Sequence, residues 1–248
     1  MDARPAEPGR GLGRRLLGQF FQSGAVTEVS PIAARMRRIA IAVPDLDWLP
    51  GQQVRVCVGD VSSPGDWLDG LRRSYSVWDY DDGVLSLCVL DHGDGPGARW
   101  ARAVRPGQEV LFSRPEGNLV ARPAAYHVFA GEETAAVACG AMIRALLASG
   151  AADIRGVLEV GSPADRLPFP DAPGLQWAYR NGRPAAGSAA LTAAIAALDL
   201  PAEPGAAYVA GEARTVQAIC HHLVRDRGWP RRAVRTKPFW SPGKTGLD

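Results

Sequence analysis

The chain has 248 residues, of which 46% are hydrophobic and 22% charged, and a net charge of +2. This is the balance of a soluble globular protein long enough for two domains with separate cores, and it excludes a largely disordered chain. With no apolar run near roughly 20 residues and a charge close to neutral, neither a membrane span nor a nucleic-acid partner is expected.

Residues 1–17, with Pro5, Pro8 and several glycines, read as a flexible leader. Arg10, Arg14 and Arg15 make it basic, but no apolar stretch of the secretory type follows, so a cytoplasmic location is expected. From 18 to 122 the chain reads as short β segments: Ala25 to Val29, Met36 to Val43, Gln53 to Val58, Ser74 to Trp78, Val84 to Leu90 and Glu109 to Phe112. Turn-rich clusters at Asp45 to Gly51, Val61 to Gly70 and Asp79 to Gly83 separate them, and one helix is expected near Ala98 to Val104. Such spacing predicts a closed antiparallel β-barrel.

After Ala121-Arg122-Pro123 the pattern alternates. Strands are predicted at Tyr126 to Ala130, Ile154 to Val160, Leu175 to Tyr179, Ala206 to Ala210 and Ala233 to Phe239. Helices are predicted at Glu132 to Ser149, Ser188 to Ala197 and Ala213 to Arg227. Strand and helix in turn imply that residues 123–248 form a parallel-sheet α/β domain. The four cysteines (Cys57, Cys88, Cys139, Cys220) are far apart and form no C-x-x-C pair, so reduced core residues are expected rather than a zinc or iron–sulfur site.

Two signals stand 19 positions apart. Arg73-Ser74-Tyr75-Ser76 offers a fork for a phosphate, an aromatic face for stacking and hydroxyl donors. The run His92-Gly93-Asp94-Gly95-Pro96-Gly97 then leads into Ala98-Arg99-Trp100, a helix start whose unpaired N–H groups can cradle a diphosphate. Read together they point to a flavin site, with Tyr75 on the ring, Arg73 on a phosphate, and His92, Gly95, Pro96, Gly97 and Trp100 alongside. As a bare strand, the same residues would be a core tyrosine and a solvated arginine.

Gly131, Thr134, Gly211, Glu212 and Ala213 fall at two strand-to-helix junctions, where open α/β sheets bind ligands, and are candidate electron-donor contacts. The acidic residues there would repel a phosphate and serve equally well as helix-dipole partners. The chain's two lysines, Lys237 and Lys244, flank Phe239 and Trp240 near the C-terminus. Trp240 is expected near the flavin and the lysines near an anionic substrate. Adjacent His221 and His222 point about 100° apart on a helix, so no metal site is expected.

RSYS (73–76), HGDGPGARWA (92–101), AGEETAA (130–136), YVAGEA (208–213) and KPFWSPGKTG (237–246), in this order, resemble the siderophore-interacting protein family. The resemblance implies a ferredoxin-reductase-like layout, bound FAD, and reduction of ferric siderophores to release Fe(II), with NADH, NADPH or ferredoxin as donor. Many members carry a second Arg where this chain has Trp78, which puts one positive charge in question. A flavoprotein reductase with another acceptor and a non-catalytic siderophore-binding protein are the alternatives; a monomer is expected.

Overall fold

The computed structural model describes residues 21–59, 72–150 and 153–244. The expected leader and the turn cluster between 61 and 70 lie outside the described residues.

Six strands close a barrel: β1 (Phe21–Ala33), β2 (Met36–Ala42), β3 (Gln53–Cys57), β4 (Arg72–Asp81), β5 (Val84–Leu90) and β6 (Glu109–Ser113), in the order β1-β2-β5-β4-β3-β6. The strands pair antiparallel, and alternate residues such as Ile39, Ile41, Val54, Val56, Leu85, Leu87, Val110 and Phe112 fill the interior. β1 is longer than expected because it pairs with β6 through Phe21–Ala25 and then with β2 through Ala25–Ala33. Asp82 and Gly83 both take positive φ, 45° and 71°, and close the tight β4–β5 hairpin as a right-twisted ribbon requires. A short helix, α1 (Pro96–Ala103), follows β5.

The second half is a five-stranded parallel sheet of β7 (His127–Gly131), β8 (Ile154–Val160), β9 (Gly174–Tyr179), β10 (Ala206–Glu212) and β11 (Val234–Trp240), in the order β11-β10-β7-β8-β9. Helix α2 (Glu133–Ala148) covers one face, while α3 (Ala189–Ala196) and α4 (Ala213–His221) cover the other. Burial on both faces explains the unbroken apolar runs of β7 and β10. The helix expected to reach Arg227 is α-helical only to His221; a single wider turn, His222–Asp226, completes it. Strand order reverses between β7 and β10, so their C-terminal ends, Gly131 and Gly211-Glu212, border the topological switch point. No helix among the described residues is long and apolar enough to cross a membrane.

The two halves share a core. Met36, Trp78, Cys88 and Leu119 from the barrel side pack with Phe129, Met142, Ile143 and Tyr208 from the sheet and α2.

Candidate functional site

On β4 the pairing Arg73↔Val56, Tyr75↔Val54 and Ser76↔Gln53 puts Arg73 and Tyr75 on one side of the strand. The Tyr75 ring stacks on Trp100 of α1, with centroids 5.8 Å apart and planes inclined by 23°. A Cβ at Gly97 would stand 2.3 Å from the Tyr75 hydroxyl and 3.6 Å from Arg73 Cγ, so only glycine lets α1 approach β4 this closely. The chain thus brings Arg73, Tyr75, Gly97 and Trp100 together from two motifs. Trp100 spends at least one ring face on Tyr75 itself.

The Tyr75 hydroxyl is buried and, among the described residues, has no hydrogen-bond partner. Burial raises its pKa well above the usual tyrosine value, with Arg73 opposing, so the phenol keeps its proton and remains a donor. The neighbouring N-terminus of α1 begins at Gly95 and Pro96, with no side-chain cap and no acidic residue in its first turn. The loop leading to it is fixed by Arg102, which pairs with Asp91 at 2.7 Å and Asp94 at 3.2 Å and donates to the Gly93 carbonyl at 2.5 Å. A lone buried hydroxyl, a glycine cradle and an open helix start beside an arginine fit the diphosphate and sugar-alcohol chain of a flavin dinucleotide. His92, in the loop after β5, and Ser74 are exposed, and Ser76 is half-buried on β4.

Trp78, two residues on, is buried at the junction of the two halves. The Arg144 guanidinium of α2 lies 3.9 Å from its ring centroid and donates to its backbone carbonyl. A positive charge therefore does stand beside Trp78, supplied by the second half of the chain.

At the carboxyl edge of the parallel sheet, Glu132, Glu133, Glu159 and Glu212 are all buried. Glu132 caps α2, accepting from the Thr134 amide at 2.9 Å and from the Thr134 hydroxyl. It also accepts from Trp240 Nε1 at 2.9 Å. Burial raises its carboxyl to about 6, and the bonds from Thr134 and Trp240 restrain that rise. Glu212 caps α4, accepting from the amides of Arg214 at 3.0 Å, Thr215 at 2.9 Å and Gly187 at 3.0 Å. Desolvation works against its charge, but these bonds outweigh it and its pKa is lowered. Gly131, with Ala135 and the Ala210 carbonyl closing in on it, is a packing position, and Ala213 opens α4.

Glu133 accepts from Arg180 and, at 2.5 Å, from Arg35 at the tip of the β1–β2 hairpin. Arg35 also pairs with Asp165 at 2.9 Å. Arg180 lies 3.6 Å from Glu159. The motif reading did not single out Arg35, Arg144, Glu159, Asp165 or Arg180. Their signal was slight: Glu159 is one of two charges in an otherwise apolar strand, and Arg180 directly follows β9. Lys237 is half-buried on β11 opposite Ala210, while Lys244 is exposed in the turn beyond it.

Comparison with known proteins places these features. A family model described as siderophore-interacting FAD-binding domain matches residues 60–119, and one described as siderophore-interacting protein matches residues 124–243. The chain is 29% identical over 180 residues to the ferric vibriobactin reductase ViuB of Vibrio cholerae, a match covering 69% of this chain but 65% of that protein. A siderophore utilization protein from T. fusca superposes with a TM-score of 0.76 at 23% identity, over 92% of this chain and 95% of that one. A ferredoxin reductase of carbazole 1,9a-dioxygenase gives a TM-score of 0.71 at 19% identity, over 88% and 68%. The fold is thus ferredoxin-reductase-like, and the chain belongs to the siderophore-interacting protein family.

Proposed function

We propose that this protein is an FAD-dependent reductase of ferric siderophores, drawing electrons from NAD(P)H or a ferredoxin. The observation that carries the reading is the cradle of Tyr75, Gly97 and the open start of α1. Its unpartnered buried hydroxyl wants an acceptor, and its backbone donors and Arg73 suit a diphosphate. Siderophores hold Fe(III) through hard oxygen donors, so lowering the iron's charge by one weakens every bond to it, and reduction amounts to release. A bound flavin accepts a hydride as an electron pair and passes electrons on singly, as iron requires. One hydride would accordingly supply the two electrons for two Fe(III), giving two Fe(II), an oxidised nucleotide and one released proton.

The protein's share is placement. Arg73, Tyr75 and the 93–97 turn would hold the flavin, Ser76 lies along the same strand, and the switch point would face the donor. Lys237 and Lys244 draw in an anionic complex, an attraction weakened by salt. An anaerobic visible spectrum tests the reading. Yellow protein should bleach on adding a donor and recover its colour with a ferric siderophore as trapped Fe(II) accumulates. Colourless protein would undo the cofactor assignment. Bleaching without Fe(II) release would undo the substrate. Lys244→Ala should raise the apparent Kd for an anionic ferric chelate about threefold at low salt and show a smaller salt dependence; unchanged affinity would make Lys244 a bystander.

A further inference from the structure

Three strands meet at one atom of this site. Trp240 ends β11, Gly211 is the penultimate residue of β10 and Glu132 follows β7, in that spatial order. The Trp240 indole, rooted on β11, donates across β10 to Glu132 Oε1 at 2.9 Å. It can do so because position 211 has no side chain: its φ is +115°, and a Cβ there would stand 2.7 Å from the same Glu132 oxygen. The link therefore runs over the glycine that borders the switch point, the place where an open α/β sheet seats the diphosphate of a dinucleotide.

The amides that such a diphosphate would use are already engaged. The Thr134 amide of α2 is taken by Glu132, and the Arg214 and Thr215 amides of α4 by Glu212. Both helix starts thus carry a buried carboxylate where a phosphate would sit, in contrast with the uncapped start of α1.

We propose that Glu132 and Trp240 form a clasp over the switch-point crevice, that a pyridine dinucleotide enters only when the clasp opens, and that these two residues set the protein's selectivity for its electron donor. This rests on the reading that the switch point faces the donor. In the closed form a dinucleotide meets a buried negative charge and an indole across its seat. A one-electron protein donor, which needs only proximity to the flavin, meets no such obstacle. Nucleotide affinity is then lowered by the fraction of molecules that are open.

Calorimetric titration of the FAD-loaded protein with NADP+ and NAD+ tests this without any ferric substrate. It therefore fails independently of the reductase assignment. Trp240→Phe keeps an aromatic ring but removes the indole N–H, and should tighten dinucleotide binding about tenfold, as expected for loss of a hydrogen bond to a charged group. Glu132→Gln removes the charge but keeps an acceptor, and should tighten binding less, with most of the gain at low salt. In the unmodified protein, the Trp240 indole N–H resonance, identified by its loss in Trp240→Phe, should shift as NADP+ saturates. Equal or weaker binding in Trp240→Phe would overturn the clasp, as would saturation with no change in that resonance.

Discussion

Tyr75 holds a hydroxyl that is buried, protonated and without a partner among the described residues, an arrangement that costs free energy until something accepts from it. Tyr75→Phe should leave the fold intact and raise the Kd for FAD about fivefold, the equivalent of about 1 kcal/mol for one hydrogen bond, measured by flavin fluorescence titration. Gly97→Ala should cost more, because its Cβ would be 2.3 Å from that hydroxyl and α1 would have to move away from β4. Glu132 and Glu133, adjacent in sequence, make opposite contributions to pH dependence. Burial raises Glu132 from 4.5 to about 6, so its share of stability is greatest below 4.5 and is lost as pH rises through 6. Desolvation also acts on Glu133, but Arg180 and Arg35 overcome it and lower its pKa, so its contribution is present above 4.5 and is lost as pH falls through its folded value. Urea midpoints should therefore decline between pH 4.5 and 6, by about 2 kcal/mol at most from this group, and Glu132→Gln should flatten that decline.

At the scale of elements, β4 and α2 carry the junction. β4 presents Tyr75 to the flavin cradle and Trp78 to Arg144, and α2 runs close enough that a Cβ on Gly140 would stand 2.8 Å from the Trp78 ring. Trp78→Ala should empty a site in the shared core and cost about 3–5 kcal/mol, read from thermal or urea unfolding. Most elements were legible in the sequence because their apolar periods are clean: alternation in the barrel, apolar runs in β7 and β10, a mostly apolar β8, and Ala-rich helices between them. The meeting of the two motifs was legible because local chemistry marks it, an aromatic-arginine strand followed by a glycine turn, and the structure packs Tyr75 against Gly97 and Trp100. The two helix caps were half legible. Glu132 and Glu212 could be read either as dipole partners or as obstacles to phosphate, and the hydrogen bonds make them caps. Trp240's reach to Glu132 was not legible, since it depends on β11 and β7 lying on either side of β10, a property of strand order.

Over the whole molecule, the barrel and sheet are joined by charge as well as by apolar packing. Arg35 projects from a barrel hairpin to Glu133 and Asp165, and the Ala34 amide donates to the Ala164 carbonyl at 2.9 Å. Arg180→Ala, which leaves Glu159 without a cation and Glu133 with Arg35 alone, should destabilise by about 3 kcal/mol. Arg35→Ala should cost less, about 1–2 kcal/mol, because its side chain is 41% exposed and partly screened. These pairings escaped sequence reading because the partners are 98 and 130 positions apart and share no periodic pattern.

The same separation bears on how the chain acquires its fold as it is made. Arg35 is synthesised early, yet its second carboxylate comes 130 residues later, and Arg180, the other cation on Glu133, later still. Until then the hairpin tip has nothing to hold, and the sheet's carboxyl edge, if formed without the barrel, keeps Asp165 without its cation. Arg180 serves Glu133 and Glu159 from within the sheet half, but Asp165 receives its cation only from the barrel's hairpin, so the acidic edge is fully neutralised only when both halves are present.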